Sequence, residues 1–424
     1  MKRSLPIRKR RSKSRPASRA LQTNPGDIDG VAGNVSRLFI SIYRGWDRFE
    51  KRSGGPSIVD FDLAPFGKSH SFRSRLEVLD ALKDLEQEIP GEDGSAPFLR
   101  GRVGGSIAYL RALMGEAIPF DEYIASTLGT RVGPIPKTDL AAARREVELR
   151  LGRFELLYQR KARERFEHQF LLHDRTAVKS GIVDSKDLWL SRLRSFSIPV
   201  PAGIKLTVRF ASVDEYWANW IAGSRTRGFD LAINLHPRKK YLRGSPLALC
   251  LHEICGHAAQ MAVWGDRIRK GKLSPACGVT TVHSPENFIT EGLGQTSHLL
   301  FATKFDLPDE LWLRKALQYH ELLIMQNAHL KLYAGESLSR ALSFADDALP
   351  FSHRSDLEKS LRSRLSDPLS RTYQLSYSVA EYRIRKLVAA MDDIQTVRFF
   401  ARLYQVPMTP AQLLSFGNEI LSKS

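Results

Sequence analysis

Two histidines and a glutamate fall within one short segment, His252-Glu253-Ile254-Cys255-Gly256-His257, inside an otherwise apolar run. Ser245 and Pro246 precede it and suit the cap and first residue of a helix, and Gly265 offers a stop. The segment therefore reads as part of a helix of about five turns. On a regular α-helix, histidines five apart diverge by about 140°. They could not then share one metal ion at about 2 Å. A wider π-type turn brings them to within about 50°. Gly256, just before the second histidine, gives the backbone freedom such a turn needs. The sequence thus sets a geometric condition. Either the helix widens near Cys255-Gly256, or the histidines lie on different faces as ordinary buried side chains.

Imidazole is a common zinc ligand, and an unbound glutamate beside it can accept a proton from water at the metal. Such a pair needs a third ligand. Ser284-Pro285 opens a second helix, and Glu291 falls among Phe288, Ile289, Leu293 and Leu299-Leu300-Phe301. A carboxylate among apolar neighbours is costly unless it is paired or metal-bound. Glu291 is the expected third ligand, with His283, Glu286 and His298 as competitors. Gly292 and Gly294 leave room for another backbone or a substrate. Cys255 reads as a small hydrophobe, with a thiolate ligand as the alternative.

His252-Glu253-x-x-x-His257 followed by Glu291-Gly292-Leu293 resembles the His-Glu-x-x-x-His metallopeptidases. These include the microtubule-associated tyrosine carboxypeptidases and their bacterial relatives, which carry Gln-Glu-Gly-Leu-Ala. Thr290 and Gly294 depart from that motif. Tyr373-Gln374-Leu375-Ser376-Tyr377-Ser378 resembles the Gln-Ala-Leu-Ser-Tyr-Lys segment of a bacterial family of predicted zinc peptidases. That family carries His-Glu-x-x-Pro-Gly-His and Glu-Gly-Trp, so Cys255-Gly256-His257 is one residue shorter than its spacing. Together the resemblances span residues 200–390 and point to the gluzincin clan. They imply one Zn2+ per chain on His252, His257 and Glu291, with Glu253 as base. They also imply Tyr377 as donor to the developing oxyanion, Tyr373 being the other register.

Half of the formal net charge of +18 lies in residues 1–20, which hold nine Lys or Arg and no acid. Residues 1–25 therefore read as a disordered polybasic tail, with 1–24 available for polyanion contact. No apolar run is long enough for a membrane span, and no apolar core follows the basic start as in a secretory signal. Three cysteines (250, 255, 277) make no disulfide framework, which favours a reducing cytoplasm.

Residues 26–200 read as a helical region, with apolar stripes over 35–50 and 71–88 and one long charged helix over 136–170. Strict alternation at 204–210 and 229–235 predicts two strands in a small antiparallel sheet beside the zinc helix. The gluzincin resemblance implies that an edge strand there binds extended substrate, with Ala232 and Asn234 as the candidate contact residues. Helices follow at 309–334, 337–347, 354–365, 375–393 and 409–422. The expected fold class is α+β, mainly α-helical, with a gluzincin-like catalytic domain over 201–424. The expected activity is zinc-dependent hydrolysis of a peptide bond. Arg371 and Arg383 could bind a substrate carboxylate and make the chain a carboxypeptidase. The competing reading is a non-enzymatic basic-tailed scaffold or polyanion binder with a structural or degenerate zinc site. Oligomeric state is not legible in the sequence.

Overall fold

In the helix Gly33–Arg52, Phe39, Tyr43 and Trp46 recur at helical spacing and are fully buried. The helix Arg75–Glu88 does the same with Val78, Leu82 and Leu85. These faces join one apolar core that continues through Ile254, Phe288, Leu375 and Phe400. Segments on both sides of residue 200 thus share a core, and the boundary expected there does not separate two packed bodies. The computed structural model describes residues 33–422 apart from 66, 92–93 and 215–217. The polybasic tail lies outside the described residues. With 65% of the chain helical and one small sheet, the protein is a mainly helical α+β fold. No helix among the described residues is long and apolar enough to cross a membrane.

The sheet has five strands: β1 (Val59–Asp62), β2 (Leu206–Ala211), β3 (Asn219–Ser224), β4 (Gly228–Asn234) and β5 (Val279–Thr281). Their order is β2-β4-β3-β1-β5. The sheet is mixed rather than antiparallel, because β2 runs parallel to β4 and β1 parallel to β3. β1 comes from the segment before residue 200, which sequence periodicity had marked as helical. It meets β3 only at Phe61–Gly223 and Asp62–Ser224. Asn219 to Ala222 therefore keep one edge without a strand partner among the described residues.

This arrangement corrects the substrate-strand expectation. β4 is interior, and Ala232 is paired with Arg209 on one side and Trp220 on the other. Asn234 is buried, and its carboxamide is committed to the backbone of Val213 and His236. Neither residue offers a free edge.

The long helix expected over 136–170 is also broken. It stops at Gly152, and Glu155 takes a positive φ of 55°. The chain then folds back into the helix Arg163–Phe170. Phe154 packs edge-on against Phe170 at 4.9 Å, so aromatic burial overrides continued helix. A helix at Asp393–Gln405, closed by a capping box at Asp392, was not anticipated.

Candidate metal centre

The helix over 245–269 starts and ends as α-helix but is wound as π-helix from Cys250 to Ala258. This meets the geometric condition set by the five-residue spacing. The Nε2 atoms of His252 and His257 stand 3.0 Å apart. Two buried carbonyls of the widened segment have side-chain partners. Ser297 donates to the Leu251 carbonyl at 3.0 Å, and Tyr404 donates to that of Cys255 at 2.7 Å.

The helix Glu286–Ala302 crosses this segment at close range. A Cβ on Gly256 would lie 3.0 Å from the Gly294 Cα, and one on Gly294 would lie 2.7–3.0 Å from atoms of the His252 ring. The glycine pair thus permits the helix contact and the close seat of the His252 ring.

That crossing places Glu291 against both histidines. Its Oε2 lies 3.3 Å from His252 Nε2 and 3.5 Å from His257 Nε2. A tetrahedral ion with ~2.0–2.2 Å bonds sets its ligand atoms about 3.3–3.6 Å apart, so the triangle is the right size. Glu291 Oε2 is buried and has no hydrogen-bond partner, while Oε1 accepts from the Tyr373 hydroxyl at 2.8 Å. Glu291 Oε2 thus faces both imidazole nitrogens at spacings that ligands of one cation would keep. His252, Glu253 and His257 form a buried group able to hold a metal, with ligand atoms within 4.8 Å of one another.

Electrostatics agree with this donor set. Burial opposes charge on His257, but Glu291, with Glu253 and Asp60, overrides it and lifts its pKa to about 9. Burial likewise opposes charge on Glu291, yet the two histidines hold it well below the usual carboxylate range. Glu291 and the two imidazoles are thus strongly coupled to one another.

The competing third ligands are held elsewhere. His283 contacts Ser106 at 3.0 Å and stacks on Tyr109, and burial next to Arg102 pulls its pKa down to about 3. Glu286 forms a buried ion pair with Arg102 at 2.6 Å. His298 faces Arg385 at 3.3 Å. Burial pushes the Cys255 thiol well above its ordinary range, which leaves it a core thiol.

Glu253 reaches 3.7 Å from His252 Nε2 and accepts from the Asn219 side chain at 2.5 Å. Tyr377 donates to the Tyr373 hydroxyl at 2.8 Å, and its ring lies alongside that of His252. Asn219, His252, Glu253 and Tyr377 form a wall common to two cavities. The first, about 80 Å³, is lined by the partnerless edge of β3, by Glu291 and by Asp60. The second, about 370 Å³, lies against the helix Asp309–Tyr333.

Sequence reasoning missed Asn219 and Asp60. Burial, then the nearby Glu286 and Glu291 carboxylates, push the Asp60 pKa well above the carboxylate range. Both residues stand on or beside short strands that carry no alternation strong enough to read. Arg371 and Arg383, expected to bind a substrate carboxylate, are not at the site. Arg371 lies over the Tyr123 and Tyr333 rings, and Arg383 is bound by Thr130 and the Arg131 carbonyl. Each serves helix packing, so the proposed carboxylate contact at these two positions is withdrawn.

No family model and no curated protein matches this chain. Among solved structures it is similar to a candidate lipoprotein from Colwellia psychrerythraea, at 14% identity and a TM-score of 0.55. The match covers 82% of this chain and 67% of that one. At this identity the likeness is one of fold.

Proposed function

We propose that the chain is a zinc-dependent hydrolase of peptide bonds, related to the gluzincin peptidases. The observation that carries this reading is the ligand-sized triangle of His252, His257 and Glu291, with Glu253 beside it and Asn219 holding Glu253 in place. A zinc ion held by that triangle supplies Lewis acidity toward a water and a peptide carbonyl. Glu253 takes a proton from the attacking water as the carbon–oxygen bond forms. It then returns that proton to the leaving nitrogen as the carbon–nitrogen bond breaks. Tyr377 faces both cavities and is positioned as the donor to the developing oxyanion. Tyr373 is engaged with Glu291 and orients it. The open edge of β3, which lines the first cavity from Asn219 to Ile221, suits an extended peptide added as a further strand.

The test is metal analysis combined with a peptide panel. About one zinc per chain is expected, and it is expected to be lost in His252→Ala, His257→Ala and Glu291→Ala. Glu253→Gln is expected to keep the metal and abolish hydrolysis of blocked and free-ended peptides alike. Full zinc occupancy in Glu291→Ala would remove the ligand assignment. Metal lost in Glu253→Gln would make Glu253 a fourth ligand and the centre a structural one.

A further inference from the structure

The second cavity is cationic in a way the catalytic reading does not use. The helix Asp309–Tyr333 sends Arg314 and Lys315 into its wall, directly across from Asn219, Glu253 and Tyr377. Lys315 is 2% exposed, and its Nζ reaches only the neutral Gln295, at 3.1 Å from the carbonyl and 3.4 Å from Oε1. No carboxylate among the described residues lies within ion-pair range of it. Arg314 is partly buried on the cavity wall. Its guanidinium has no hydrogen bond, ion pair or ring contact among the described residues.

Other cations nearby differ. Lys240, also on this wall, is neutralised by Glu167 at 2.8 Å, and Arg385 by Glu381 at 2.9 Å. Burial lowers the Arg314 pKa against Glu321 and Glu381, and drags Lys315 down to about 8 against Glu381 and Glu253. Enclosed cations with no carboxylate in direct ion-pair contact are costly. Two of them side by side, lining a cavity that opens onto a reactive centre, are explained by a ligand that brings the missing negative charge.

We infer that Arg314 and Lys315 form a carboxylate-binding subsite, which takes the carboxylate of the substrate portion on the far side of Glu253 from the β3 edge. The inference rests on the hydrolase reading only for calling the ligand a substrate. Two sources share this chemistry: the free C-terminus of a peptide, and an Asp or Glu side chain. A cavity of about 370 Å³ has room for one residue beyond the scissile bond.

The experiment is a binding comparison that needs no turnover. Zinc-loaded Glu253→Gln protein is titrated calorimetrically with three acetylated tripeptides: Ala-Ala-Ala free acid, Ala-Ala-Ala amide and Ala-Ala-Glu amide. One or both carboxylate-bearing peptides are expected to bind about 10- to 100-fold tighter than the Ala amide. The double variant Glu253→Gln/Arg314→Gln is expected to erase that preference, and Arg314→Lys to restore part of it. Preference for the free acid alone assigns the subsite to a C-terminus, and preference for the Glu amide alone to an acidic side chain. Equal binding of all three peptides overturns the subsite, as does a preference that survives both Arg314→Gln and Lys315→Met. Wild-type protein that hydrolyses none of the peptides sinks the hydrolase reading instead, which the binding result leaves separable.

Discussion

Tyr373 donates its hydroxyl to Glu291 Oε1 at 2.8 Å, leaving Oε2 to face the two histidines. The two tyrosines of this helix should therefore fail differently. Tyr373→Phe is expected to weaken zinc binding about 10- to 100-fold, measured by chelator competition, because it frees a ligand from its orienting partner. Tyr377→Phe is expected to keep zinc and lower kcat by roughly 10²–10³, with KM little changed. If Tyr373→Phe carries the kcat loss and Tyr377→Phe does not, the donor is one helical turn away from the residue assigned here.

Gly294→Ala tests the helix crossing. Its methyl would meet the His252 ring at 2.7–3.0 Å, and the nearest relief is to push that ring away from Glu291. Zinc content is expected to fall well below one per chain, with the folded content by circular dichroism retained. Gly115→Ala is the strain control, since its positive φ opposes a side chain but nothing lies within 4 Å. It should lower the melting temperature slightly and leave zinc untouched. Full metal occupancy in Gly294→Ala would mean the crossing is looser than described.

Proton release on metal loading follows from His257. Its pKa in the metal-free protein is lifted to about 9, so at pH 7.5 it carries a proton that a metal must displace. Calorimetry in two buffers of different ionisation heat should report about one proton released per zinc at pH 7.5 and close to none above pH 10. The same shift fixes the sign for stability. The folded pKa lies above the unfolded one, so the imidazolium's contribution to metal-free protein is complete below about pH 6.5 and is lost as pH rises through about 9. A metal-free protein that gained stability between pH 7 and 9 would contradict the His257–Glu291 pairing.

How much of this was legible in the sequence depended on the kind of signal. The widened turn was readable because a fixed residue spacing and a fixed metal radius leave few solutions. That Glu291 needs a partner was readable because its apolar neighbours make an idle carboxylate costly, and it faces both histidines. β2 and β4 alternate cleanly and were found within two residues. β1 and β5 are four and three residues long and carry no period, so their place in the sheet is a tertiary outcome. Asp60 was hidden for that reason, and Asn219 because β3 shows no apolar–polar alternation. Arg371 and Arg383 were misread because closeness in sequence to Tyr377 says nothing about helix face. Arg314 and Lys315 sit in a long helix whose charges look like an ordinary solvated stripe until the cavity is seen.

The position of β1 also bears on how the chain is made. Val59–Asp62 leaves the ribosome long before β3 and β5, between which it must lie. Until Val279–Thr281 has emerged, β1 has no complete neighbours, and the helices packed around it wait with an unfinished core. The histidine segment at 252–257 is synthesised inside that interval. A chain cut at residue 200 would leave the first fragment with an orphan strand and the second with a gap in its sheet, and neither would carry the whole cleft.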